Sequence, residues 1–329
     1  MKKFILVFTI IVVILISSCK KESPSQPGND EQPILGWQKT NGLGAFTVTG
    51  LTKLGNNIFA GTSSWGVYCS TDGGQNWVPR SVGLTDTLVR AITSNDSILF
   101  VGTEGHGIYR STNNGITWEK TNNGMGNHRI LSLTSLKNYV FAGTYNNALY
   151  RSTDNGLNWQ WASNGIYSSS IRSLTTSDSG IFVGAENGGV YRSTDLGVTW
   201  NSVSIPNEIG WISAVIVNKS TILASSDIFP NVFRSTNLGL TWKDSDSGMS
   251  APGVYAFSNY QGVTFAGCTW GFFYSTDDGI SWTQATQGFD DMTLYALEVN
   301  DEYIFAGGFN KGILRRRLSE FVTRTHINK

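Results

Sequence analysis

Short apolar runs rich in β-branched and aromatic residues recur along the chain in a fixed order. Residues 89–93 (VRAIT), 171–175 (IRSLT) and 294–298 (LYALE) are the first, mainly apolar run of their units. After a polar turn each leads to a continuous apolar stretch, such as 98–102 (ILFVG), 139–143 (YVFAG) or 303–307 (YIFAG). Runs of this kind, bounded by Asn, Asp, Ser and Gly, predict strands. A third run of GxYR type follows, as at 107–110 and 189–192, and then a box ending in tryptophan, from which a fourth strand starts.

The box is the clearest repeat: STDGGQNW (70–77), STNNGITW (111–118), STDNGLNW (152–159), STDLGVTW (193–200), STNLGLTW (235–242) and STDDGISW (275–282). The first serines lie 41, 41, 41, 42 and 40 residues apart, a period that marks propeller blades. Counting first and second strands gives seven units, and the last has RRL at 316–318 where a box should stand. At the other end WQKTNGLG (37–44) matches WEKTNNGMG (118–126) almost residue for residue, so residues 36–40 are a fourth strand without its first three. The expectation is an all-β fold: a seven-bladed propeller of four-stranded antiparallel blades over 35–318, in which the N-terminal strand completes the last blade. Closure removes the exposed sheet edge and the bare terminal repeat of an open array. Residues 319–329 are left as a C-terminal tail.

Charge narrows the function. Lys and Arg total 24 and Asp and Glu 24, so no basic footprint points to nucleic acid. The first residues read as a targeting segment: Lys2 and Lys3, an apolar run over 4–16 broken only by Thr9, then small residues. That run is shorter than the ~20 residues of a membrane span. Ile16-Ser17-Ser18-Cys19 resembles the bacterial lipobox. The resemblance implies a signal peptide over 1–18, lipid on Cys19 and a polar tether over 19–34; no inner-membrane retention aspartate follows the cysteine, so an outer-membrane address on either face is expected, and an ordinary secretory signal is the alternative. Cys69 and Cys268 occupy different repeats and different repeat positions, so buried thiols are expected and not a disulfide, whose Cα atoms must lie within ~7 Å.

The box offers a carboxylate in four of six copies. The third position holds Asp72, Asn113, Asp154, Asp195, Asn237 and Asp277. A general acid or nucleophile must ionise, and asparagine does not. Either side chain can accept turn N–H groups, the glycine tolerates positive φ, and the tryptophan can pack beneath the hairpin while its N–H finds a carbonyl. One carboxylate per box is also far short of a calcium site's oxygens. The box is therefore expected to be structural.

S-x-D-x-G-x-x-W at blade spacing resembles the Asp-box, or BNR, repeat, over residues 36–315. Sialidases, two-propeller xyloglucanases, sortilin-type receptors and the photosystem II assembly-factor family share it and differ in function. The single-propeller length and the GxIY-x-S/T-T-D form are most similar to the assembly-factor-like group, which implies a non-enzymatic binding scaffold without cofactor or metal, and a monomer. A sialidase would require an Arg-Ile-Pro motif, which is absent. A xyloglucanase-like site would require a second propeller.

In a propeller the boxes occupy one rim, so ligand chemistry is expected on the other, in the second-to-third and fourth-to-first loops. These carry Trp65, His106, Tyr145, Phe229, Trp270 and Trp211, aromatic and polar groups suited to sugar rings or peptide side chains. Arg90, Arg172, Tyr255 and Tyr295 share one repeat column near the mouth; the two arginines either meet an anionic group or serve the fold. The competing enzyme reading is a glycoside hydrolase using Glu104, Glu186, Asp290 and Asp291. His106, His128 and His326 lack the spacing of a zinc site.

Overall fold

The computed structural model describes residues 35–187, 189–203, 205, 210–227, 232–288 and 292–322. They form seven four-stranded antiparallel sheets. In the first blade the strands are Val48–Leu54, Asn57–Thr62, Gly66–Ser70 and Val78–Pro79, consecutive in the chain. The last blade differs: Leu294–Val299, Tyr303–Gly308 and Gly312–Arg317 take Gln38–Lys39 as their fourth strand. Gln38 faces Arg315 and Lys39 faces Leu314. The ring is closed by the N-terminal strand, as the orphan repeat foretold.

The continuous apolar runs are the second strands, and their phenylalanines at 59, 100, 141, 182, 265 and 305 are fully buried. Such a run lacks polar alternation because blades cover both of its faces. The apolar core is accordingly divided into seven clusters, each drawing residues from two adjacent blades. Phe100 and Ile108 of the second blade, for example, pack with Ile130, Val140 and Trp159 of the third. A blade alone would expose both faces of its sheet.

The box hydrogen bonds explain its composition. The buried Ser152 hydroxyl donates to Asp154 Oδ1 at 2.8 Å and accepts the Gly156 N–H at 2.9 Å. Asp154 Oδ1 also accepts the Leu157 and Asn158 N–H groups, at 3.2 and 2.9 Å, while Oδ2 accepts the Asn158 side-chain amide at 2.7 Å. In the asparagine boxes Asn113 Oδ1 accepts the Thr117 N–H at 3.0 Å, and Nδ2 becomes a donor to Thr117 Oγ1 at 2.8 Å. Asn237 does the same with Thr241. One reversed hydrogen bond replaces the charge.

The tryptophan does more than underpin its own hairpin. Indole N–H groups of Trp118, Trp159, Trp200, Trp242 and Trp282 donate at 2.8–2.9 Å to Arg80, Thr121, Ala162, Val203 and Ser245, all in the preceding blade. Trp37, in the closing strand, donates to Ala285 at 2.9 Å. Trp77 alone turns to its own box, reaching the Gly74 carbonyl at 3.2 Å. The box glycine meets the neighbour too: at Gly156 (φ +78°) a Cβ would come within 2.6 Å of the Phe100 ring. Arg110, Arg151, Arg234 and Arg315 add a link in the other direction, each donating to a carbonyl in the next blade's box at 2.7–3.0 Å.

Past the last strand, the 3-10 turn Leu318–Glu320 locks the seam. Glu320 pairs with Arg316 at 2.9 Å and accepts the Gly36 N–H at 3.1 Å, while Phe321 packs edge-on against Phe265. Cys69 and Cys268 are free, buried thiols.

Deleting residues 35–44 should lower the melting temperature much further than deleting 323–329, and Trp37→Ala alone should cost about 3–5 kcal/mol in chemical denaturation; equal melting temperatures for the two deletions would refute closure by this strand. The box carboxylates yield a second test. Burial opposes ionisation of Asp195, but hydrogen bonds from Thr199, Ser193 and Val198 outweigh it and hold the pKa down at about 2 against an ordinary 3.8. The stabilisation is present above the unfolded-state value and is lost as pH falls towards 2. Asp195→Asn, which recreates the Asn–Thr pairing of two natural boxes, should stay within about 0.5 kcal/mol at neutral pH and flatten the acid limb. Asp195→Ala should lose about 1–2 kcal/mol. A neutral-pH loss for the asparagine variant equal to that for alanine would show that the charge matters.

Candidate functional site

The first strand of every blade contains a β-bulge at the same place. Pairing shifts between Val48 and Gly50, Val89 and Ala91, Ile130 and Ser132, and at the equivalent points of the other four blades. The extra residues are Thr49, Arg90, Leu131, Arg172, Ser213, Tyr255 and Tyr295. A bulge residue is freed from the ladder and its side chain re-aimed. All seven line one cavity of about 570 Å³ at the channel mouth, joined by Trp211, Asp227 and Phe309 from the loops.

Arginines and carboxylates at the mouth are already engaged. Arg90 Nε donates to Glu104 Oε2 at 2.5 Å, and Arg129 Nε lies 2.7 Å from the other carboxylate oxygen. Arg172 pairs with Glu186. Two of these arginines are covered by rings: Arg172 lies 4.5 Å over Trp211 and Arg129 4.2 Å over Tyr145. The Trp211 backbone is fixed by its main-chain N–H, which donates to Asp227 Oδ1 at 2.8 Å. Tyr255 and Tyr295 meet edge to face at 5.5 Å, and Trp65 stacks on Phe46 at 5.1 Å and 21°.

Arg90, Arg172 and Trp211 thus form the cavity wall with Tyr255 and Tyr295. Trp65, His106, Tyr145 and Trp270 stand on the loops of the same rim, outside the cavity lining. Glu104 and Glu186 sit behind their arginines, two blades apart. Phe229, Asp290, Asp291, His326 and Cys19 lie outside the described residues. His106 Nδ1 is 3.1 Å from Asp86 Oδ2. Burial opposes ionisation of Asp86, but the Leu88 N–H, His106 and the Gly105 N–H outweigh it and hold its pKa below the usual range. Asp86 is thereby a loop organiser. Among the described residues no cluster of three or more His, Cys, Asp or Glu side chains is placed to hold a metal ion.

Sequence reasoning missed Thr49, Leu131, Ser213 and Asp227. Extending the Arg90–Arg172 column by the repeat period finds the first three. Asp227 follows Ser213 by the same 14 residues that separate Arg90 from Glu104 and Arg172 from Glu186.

Comparison with known proteins gives the repeat its name. The BNR/Asp-box repeat model matches residues 68–79 and 109–120. These are BNR/Asp-box repeats. No curated protein sequence matches the chain. Among solved structures, YCF48 bound to D1 peptide superposes with a TM-score of 0.71 at 18% identity, over 89% of this chain and 99% of that one. The GH74 xyloglucanase from Xanthomonas campestris gives 0.69 at 16% identity, over 87% of this chain and 54% of the enzyme. The extracellular domain of a hybrid two-component system from B. thetaiotaomicron gives 0.69 at 14% identity, over 86% and 40%. These likenesses establish the fold; the Asp-box propeller's ligand has to be argued from its own mouth.

One inner-strand group titrates unusually. Glu298, three residues beyond the bulge at Tyr295, is partly covered as a residue, but its carboxyl is enclosed. Burial pushes its pKa up to about 7, against smaller opposing effects of the Val299 N–H and Lys53. Between the ordinary 4.5 and about 7 the folded chain keeps a proton that the unfolded chain has lost. This group's contribution to stability therefore declines as pH rises through that window. Glu298→Gln should lessen the fall in melting temperature between pH 5 and pH 8; parallel curves for parent and variant would contradict the assignment.

Proposed function

We propose that the chain is a non-enzymatic binding protein of the cell envelope. Its Cys19 carries lipid, and the rim opposite the Asp-boxes receives a protein segment or a glycan. The observation that carries this reading is the state of the three described mouth carboxylates: Glu104 is held by Arg90 and Arg129, Glu186 by Arg172, and Asp227 accepts the Trp211 backbone N–H. A hydrolase acid or nucleophile has to reach the scissile bond, and the glutamate oxygens are turned to guanidinium groups. What remains at the mouth is aromatic and aliphatic surface with a few fixed polar groups, the make-up of a binding pocket.

The relatives in fold support the reading by analogy. One holds a peptide and another is an extracellular domain. The anchor rests on the lipobox resemblance, and the proposed address is the outer membrane, facing either the periplasm or the exterior. A closed ring has no bare blade to pair with a second copy, which favours a monomer. The xyloglucanase likeness keeps a hydrolase as the second reading.

Two measurements separate these readings. Cys19→Ser should abolish incorporation of a palmitate analogue and release the protein from membranes; an unlabelled but membrane-bound parent would remove the anchor. The purified chain should liberate no reducing ends from xyloglucan. Liberation lost on Glu104→Gln, Glu186→Gln, Asp290→Asn or Asp291→Asn would establish the hydrolase instead.

A further inference from the structure

Two tryptophans, Trp211 on the cavity wall and Trp65 on the rim beyond it, are supported on one face and partly exposed. Trp211 is backed by the Arg172 guanidinium and is 41% exposed; Trp65 is backed by Phe46 and is 59% exposed. A flat ring held from behind presents its free face with little rotamer entropy left to lose. Such a face suits a ligand that is itself flat and apolar on one side.

Charge at the mouth selects further. Three arginines, Arg90, Arg129 and Arg172, are balanced by Glu104, Glu186 and the wall residue Asp227. No net positive field is left to attract a polyanion. The polar groups are instead finely mixed. The Thr49 hydroxyl donates to the Val89 carbonyl at 2.8 Å and so offers lone pairs only, while Ser213 Oγ lies 2.7 Å from the Val254 carbonyl and 2.9 Å from Ser225 Oγ. The Arg90 terminal nitrogens make no hydrogen bond among the described residues and remain donors. Fixed acceptors and fixed donors beside aromatic faces complement a molecule whose ring face is C–H and whose edge is hydroxyl.

From this arrangement we infer that the mouth binds a neutral oligosaccharide, its sugar rings laid on the free faces of Trp211 and Trp65. The inference rests on the reading of this rim as a binding surface and narrows its ligand class. A cavity of about 570 Å³ falls within the usual size of small-molecule sites, and Trp65 stands on the same rim in the first blade, three blades round the ring from Trp211 at the fifth. A peptide adding as a strand finds no template at the outer edge, where each fourth strand contributes only two residues.

The full chain would be titrated, by tryptophan fluorescence and calorimetry, with neutral hexasaccharides of β-1,4-glucan, β-1,3-glucan, xylan and mannan. Hexagalacturonate serves as the anionic arm and a displayed peptide library as the protein arm. At least one neutral sugar should bind. Trp211→Ala should weaken it by about tenfold or more, the scale of an aromatic anchor. Trp65→Ala should weaken it less, and Trp211→Tyr should restore most of the affinity with an unchanged melting temperature. Saturation by none of the neutral sugars, or by the galacturonate alone, overturns the inference. Peptide binding alone, lost in Trp211→Ala, overturns it while leaving the binding rim intact. Sugar binding indifferent to both tryptophans refutes the rim itself.

Discussion

The rest of the structure depends on the indole N–H that a tryptophan gives to a carbonyl of the blade before it. Every blade here is apolar on both faces, and a sheet of that kind is stable only between two others. The hydrogen bond itself contributes on the order of 1 kcal/mol net. Its larger effect is to fix how neighbouring blades are placed, so that the box glycine seats against a phenylalanine ring and the arginine reaches forward to the next box. At the seam the same contact is made by Trp37, with Glu320 holding the adjacent backbone N–H. Both ends of the propeller, the strand at 38–39 and the turn at 318–320, are thereby built into one blade.

Much of this could be read along the chain because each box residue has a local duty at a fixed offset. The period near 41 counted the blades, the absent box located the seam, and Asn113 and Asn237 separated turn formation from acid-base chemistry. The reach of the tryptophan could not be read, since a ring packed under its own hairpin and one bonded to the preceding blade share the same local pattern. Trp77 shows that both occur in one molecule.

The mouth was legible in column and illegible in detail. Arg90, Arg172, Tyr255 and Tyr295 fall in register, so periodicity gathered them. A bulge leaves no mark in composition, and nothing in the chain says that this position is the one turned inward. Nor could it distinguish Trp211, braced by Arg172 on the cavity wall, from Trp270, which stands on the rim with a left-handed backbone. The ion pairs behind the wall decide which charges are spent, and they require knowing which loops touch.

The bulge separates two jobs that a strand residue ordinarily combines. A residue in the ladder answers to its partner across the sheet and to the blade packed on its face, and a change there is felt by both. The bulge residue has no partner opposite it, and in this ring the same site holds threonine, arginine, leucine, serine and tyrosine on nearly identical strands. The propeller therefore carries seven interchangeable seats around one opening. A lineage can rewrite what the opening selects, one seat at a time, while the frame beneath stays as it is.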